Sequence, residues 1–216
     1  MPKLEWDKKS EKYYETGVRN VVLFIMNSNG QYGAGIPWNG VTNITESANG
    51  GDTKDLWADD IKYIVMRKPE SREGSIEAFT YPPEFGKCDG SFEVQPGIVL
   101  RQQPRTSFAL CYRSVLGNDV EGEDYAYKLH IVYGCDATPT DRGYDTMDDD
   151  PDAITFSWDF VTTPVEVTGH KPTASIEIDS SKVNATKLGD LEEILYGTDN
   201  TDSRLPLPDE VLSTLS

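Results

Sequence analysis

The chain has 216 residues, with 37 acidic against 20 basic side chains, a formal net charge of −17 and a pI near 4.4. So acidic a surface repels nucleic acid and anionic lipid, which argues against a binder of either. The aromatic content, 11 Tyr and 4 Trp, argues against wholesale disorder. The length suits one large β domain or two small ones, and the longest uncharged apolar run, residues 21–26, is far too short to span a bilayer. No apolar signal region opens the chain. Cys88, Cys111 and Cys135 are odd in number and widely spaced, so they read as buried thiols and not as a disulfide framework or a zinc pattern.

In chain order, residues 1–16 form a polar arm with Trp6, Tyr13 and Tyr14 spaced among balanced charges. Such a segment has no core of its own and is expected to dock on its own domain or on a neighbour. The continuous apolar run over 18–26 predicts a strand covered on both faces. Residues 27–30 form a turn, and Gly33-Ala34-Gly35 lacks the third glycine and following helix of a dinucleotide loop. Residues 36–46 read as a strand. Residues 48–51 read as a small-residue loop leading to Leu56-Trp57-Ala58, and 60–66 as a strand with Ile61, Tyr63 and Val65 on one face. The strand at 71–80 turns Glu73, Ser75 and Glu77 to its wet face.

Pro82-Pro83-Glu84-Phe85 opens a short helical turn, since Pro is tolerated at a helix start. Residues 91–102 and 106–116 read as strands, and 117–124 as a polar turn. Strict alternation over 125–133 places Tyr125, Tyr127, Leu129, Ile131 and Tyr133 on one face. Over 154–160, Ile154, Phe156, Trp158 and Phe160 alternate with Thr155, Ser157 and Asp159. After Pro164 and turn residues at 169–172, Ala174, Ile176 and Ile178 read as the second strand of a pair. Leu188, Leu191, Ile194 and Leu195 make one apolar stripe over a helix at 184–196, stopped by Gly197. The last seven residues suit a short terminal helix. Together these elements predict an all-β fold with minor helix, a β-sandwich or barrel with one flanking α-helix. It divides into an arm at 1–16, a β domain at 17–198 that includes the helix, and a tail at 199–216.

Chemistry-bearing constellations are missing from this pattern. His130 falls in a strand and His170 in a turn, and no Gly-x-Ser-x-Gly elbow accompanies them. Asp148–Asp150 with Asp152 could hold calcium, but Pro151 interrupts the run and no Glu closes a twelve-residue loop, so solvated acid is the better reading. None of the many carboxylates is flanked in a way that marks a glycosidase pair. Trp158 alternates with core residues. Trp6, Trp38 and Trp57 lie in arm or loop context and are interface candidates, as are Tyr13 and Tyr14. The sequence offers no catalytic, cofactor-binding or metal-ligating residue, and the chain is expected not to be an enzyme.

Several stretches in order carry a resemblance: KLEWDKKSEKYYETGV, IPWNGVTNITES, LWADDIKYIVM, IEAFTYPPEFGKCDGS, YKLHIVYG, DAITFSWDFVTTPVEVTGHKPTASIEID and LEEILYGTD with RLPLPDEV. Together they resemble the major tail protein, or tail tube protein, of long-tailed phages with flexible, non-contractile tails. The resemblance implies a β-sandwich subunit with a flanking helix. Such subunits form rings, usually hexameric, that stack into a tube in the virion, built in the host bacterial cytoplasm. Implied partners are further copies of the chain and the tape measure, tail terminator and baseplate or distal tail proteins. DNA would pass without specific binding, no membrane would be involved, and no active site or cofactor carries over. The wet strand faces with Glu73, Glu77 and Asp159 are then candidates for the channel lining. A different reading is a β-sandwich binding module, carbohydrate-binding or host-adhesive. A third is an acidic hydrolase, which would need a pocket with convergent carboxylates.

Overall fold

The alternating stretch around 125–133 lies at the centre of the architecture. In the computed structural model, which describes residues 3–144, 146 and 152–216, it belongs to a 16-residue strand, β10 (Gly122–Ala137). The other strands are β1 (Tyr13–Met26), β2 (Tyr32–Pro37), β3 (Val41–Gly50), β4 (Thr53–Ala58), β5 (Ile61–Arg67), β6 (Glu70–Ala78), β7 (Phe92–Gln95), β8 (Ile98–Leu100), β9 (Phe108–Asn118), β11 (Phe156–Thr162) and β12 (Ser175–Asp179). A 3-10 turn (Pro83–Phe85) runs into α1 (Gly86–Asp89), and α2 (Ala185–Tyr196) and α3 (Pro208–Leu215) close the chain. Among the described residues the fold is mainly β, as the alternation predicts, with three short helices where the sequence predicts one flanking helix.

One antiparallel sheet runs in the order β2-β1-β9-β10-β11-β6-β3, with β12 also paired to β10. Its two ends curl toward each other until β1 meets β3. Because side chains alternate across a strand, the curled sheet has an inner and an outer apolar face. The inner face packs Leu23, Ile76, Phe85, Phe108, Trp158 and Phe160 into one core. The outer face of β1, β9 and β10 carries Phe24, Leu129, Ile131 and Tyr133, covered by Leu188, Leu191 and Leu195 of α2 and Val211 of α3. Each fully buried Leu or Phe is worth about 1.5–3 kcal/mol of burial, so neither layer is stable without its cover.

The pair expected from 154–160 and 174–178 does not form. Both strands pair with β10 instead: β12 along Lys128–Val132 and β11 at Cys135–Ala137. Gly134 makes the switch. It sits at φ +58°, and a Cβ there would collide with the Thr163 carbonyl, so only glycine bends β10 between its two partners. Ile154 lies outside β11 and is exposed.

Three more expectations shift. The strand expected over 36–46 is broken at Trp38–Gly40 into β2 and β3. The loop at 48–51 is the end of β3, and beyond it β4 and β5 form a separate two-stranded ribbon. The strand expected over 91–102 is likewise a hairpin, β7–β8, folded at Pro96-Gly97. The tail at 199–216 contributes Leu205 and Val211 to the outer core. Of the arm, residues 13–16 are strand, paired with Val115–Asn118 of β9.

Candidate assembly surfaces

The β4–β5 ribbon extends from the sheet beyond Gly50, and every one of its strand residues is exposed. Asp59 and Asp60, at φ +52° and +60°, join the strands. Two positive-φ residues are what a tight turn matched to strand twist requires. The register opposes Leu56 to Ile64, Lys54 to Met66 and Ala58 to Ile61. One face of the ribbon therefore carries Leu56, Ala58, Ile61, Ile64 and Met66. The other carries Trp57 and the Lys62–Asp55 ion pair at 2.8 Å. Trp57 is 67% exposed and Tyr63, at the bulge between the faces, 71%. The expectation that Ile61, Tyr63 and Val65 share one strand face is thus corrected: the bulge between Leu56 and Trp57 breaks the alternation and puts Ile61 and Val65 on opposite faces, both of them exposed. An isolated two-stranded ribbon is marginally stable at best in water.

The arm presents a second uncovered apolar surface. Leu4 and Trp6 are 73% and 76% exposed. The arm is tied to the sheet through the Ser10 backbone N–H, which donates to Asp119 Oδ1 at 3.0 Å. Tyr13 packs against Tyr125 with the rings 5.4 Å apart and tilted by 37°, and Tyr14 crosses over Gly117, where any Cβ would strike its ring. Both keep roughly half their surface exposed.

Trp38 is not an interface residue. It is 3% exposed, donates from Nε1 to the Thr80 carbonyl at 2.8 Å and packs between Phe85 and Trp158. The turn that holds its backbone lies at the surface, but the ring points into the inner core, which a local reading of loop context cannot show.

Glu73, Glu77 and Asp159 do come together. The register opposes Ser157 to Glu77, Asp159 to Ser75 and Val161 to Glu73. All three acids therefore share the outward face of β6 and β11, which β3 continues with Asn43, Thr45 and Ser47. The face is hydroxylic and acidic, with no described helix upon it.

Two polar clusters brace the surfaces. Ser114 Oγ donates to Glu15 and lies 2.8 Å from His130 Nε2; His130 stacks on Tyr112, which donates to Glu46. Lys128 bridges Glu15 and Glu177 at 2.8 and 2.9 Å. Burial pushes the Glu15 carboxyl up, but the hydrogen bonds from Lys128 and Ser114 outweigh it and hold the group below its ordinary value. The carboxylate engages Ser114 and lies on the same side of the imidazole, 3.6 Å from Nε2, so it does not orient the ring as the acid of a serine-hydrolase relay does. The cluster instead fastens β1 to β9, β10 and β12. In the second group, Arg142 donates to Asp89 at 2.7 Å, with the side chains only 14% and 7% exposed, and lies against Tyr81, Phe156 and Trp158. This pair anchors α1, whose Cys88 seals the inner core beside Phe85.

All three cysteines are buried, and burial raises the thiols of Cys88 and Cys111 to about 12. Among the described residues no group of three or more His, Cys, Asp or Glu could hold a metal ion. The calcium candidate Asp148–Asp150 lies outside the described residues. No described helix is long and apolar enough to cross a membrane.

No protein-family model matches the chain, and no curated protein matches it. Among solved structures it is similar to a sheath/tube terminator chain of the PVC extracellular contractile injection system in the extended state. That match has a TM-score of 0.33 and 14% identity, covering 82% of this chain and 99% of the other. It is also similar to a chain of the extended PVC sheath-tube complex, with a TM-score of 0.32 and 14% identity over 74% of this chain and 88% of the other. Both likenesses are distant, below the level at which a shared fold follows.

Proposed function

We propose that this chain is a structural, non-enzymatic subunit of a phage tail tube, assembling with further copies of itself into stacked rings around a conduit for DNA. The observation that carries the reading is the β4–β5 ribbon, an apolar surface that no described part of the subunit covers. A neighbouring subunit is the cover it fits, with Trp57 as an aromatic anchor of the kind that dominates protein contacts. The arm, with Leu4 and Trp6, supplies a second grip. Rings are taken as hexameric, and the tube ends would meet tape measure, terminator and distal tail proteins.

The face with Glu73, Glu77 and Asp159 fits the channel. It is polar and acidic, so duplex DNA slides past it without adhering. Six copies at −17 place roughly 100 formal negative charges in a ring. Attraction must then come from apolar and hydrogen-bonded contacts, while salt screens repulsion beyond about 10 Å at 0.1 M.

The test is negative-stain microscopy of concentrated protein across a salt series, beside a chain lacking residues 1–11. That cut spares the strand pairing of residues 13–16 and the Glu15 cluster. Rings or tubes from the full chain, more abundant as salt rises to physiological strength, and a folded monomer from the truncated one, are expected. A full chain that stays monomeric and is retained by a glycan array would replace the tube with the binding module. A clear shift of duplex DNA would remove the conduit.

A further inference from the structure

The hairpin β7–β8 is a second apolar ribbon, and the tail tube reading above does not use it. Phe92 opposes Leu100 across it, so Phe92, Ile98 and Leu100 share one face, with Val94 at the bulge beside them. All four are about half exposed. The ribbon is rigidly mounted: α1 at its base is fixed by the buried Arg142–Asp89 pair, and Thr106 N–H donates to the Lys87 carbonyl at 2.9 Å. Pro96 and Gly97, the latter at φ +82°, set its turn. A rigid, preorganised surface loses little freedom on docking.

Charge indicates what covers it. Residues 79–107, the whole connection between β6 and β9, hold three acids and three bases. Residues 51–69, the connection containing the β4–β5 ribbon, hold four and four, and the arm at 1–16 also holds four and four. These three segments, which hold most of the exposed large apolar side chains, are therefore electrically neutral, and the entire −17 resides in the rest of the chain. A surface meant for a cationic partner would carry its share of that acid. Neutral islands on a polyanion are what contact between two copies of the same polyanion requires, because like charges brought together cost several kcal/mol.

We propose that the β7–β8 ribbon is a homotypic docking surface, and that its occupant is a second copy of this chain. It rests on the tube reading only in sharing self-association. A stable contact takes about 800 Å² from each partner, more than one nine-residue ribbon supplies, so β7–β8 acts together with the arm and the β4–β5 ribbon.

The experiment is sedimentation velocity with parallel microscopy on the full chain, on the double variant Phe92→Ser/Leu100→Ser, and on Val99→Ser, which lies on the opposite face of the ribbon. Thermal melts of dilute protein check folding. The double variant is expected to melt as the native chain does and to need about tenfold more protein to assemble, the loss expected on truncating a contact hot spot. Val99→Ser should assemble as the native chain does. Undiminished assembly of the double variant would overturn this proposal and leave the tube intact. Closed dimers without rings, lost in the double variant, would uphold it and remove the tube. A native chain that stays monomeric at every concentration would overturn both.

Discussion

The outer face of β9–β10 and the β4–β5 ribbon present the same kinds of residue with opposite outcomes. Leu129, Ile131 and Tyr133 lie under α2 and α3, whereas Leu56, Ile61, Tyr63 and Ile64 meet only solvent. The difference is cover within the chain. Where the sequence supplies an amphipathic helix, apolar strand residues become core; where it does not, they stay exposed. Substitutions should therefore separate stability from assembly according to the region they fall in.

The largest loss of stability is expected where cover and charge coincide. Asp89→Ala leaves Arg142 unpaired against the aromatic end of the core and should cost about 3–5 kcal/mol in denaturant unfolding. Leu191→Ala opens a cavity between α2 and the sheet, and about 2–5 kcal/mol is expected from the same measurement. Asn184, whose Oδ1 accepts from the Thr186 and Lys187 N–H groups, caps α2, and Asn184→Ala should cost about 1 kcal/mol. In the uncovered region, Trp57→Ala should change stability by no more than about 0.5 kcal/mol while reducing tube growth. A matching loss of both would place Trp57 against its own subunit. The smallest effect is acidic. Because the folded Glu15 carboxyl is held below its ordinary value, its contribution is present above the unfolded value and is lost as pH falls through the folded one. Acid melts of Glu15→Gln should thus be flatter than those of the native chain, by a small margin, since the group is partly exposed.

Much of the covered region was legible in the sequence. Alternation over 125–133 and 156–160 identified the faces of β10 and β11, and the leucine stripe with its terminal Gly197 identified α2. These signals are local and periodic. Strand partners were not legible, because the switch of β10 between β12 and β11 depends on the backbone of one glycine. Trp38 was misassigned for a related reason: its fate is decided by Phe85 and Trp158, far along the chain. Both ribbons did leave signals in their turns, Pro96-Gly97 and the pair Asp59-Asp60. Reading the first as the interior of a strand and the second as a strand start hid two hairpins whose apolar side chains stay exposed.

Hydrogen exchange resolved along the chain, compared between dilute monomer and concentrated assembled protein, tests most directly whether the uncovered segments become covered. Slower exchange on assembly at 3–12, 53–67 and 92–100, with β9 and β10 unchanged, is the expected result. Rings in which those three segments exchange as fast as in the monomer would contradict it.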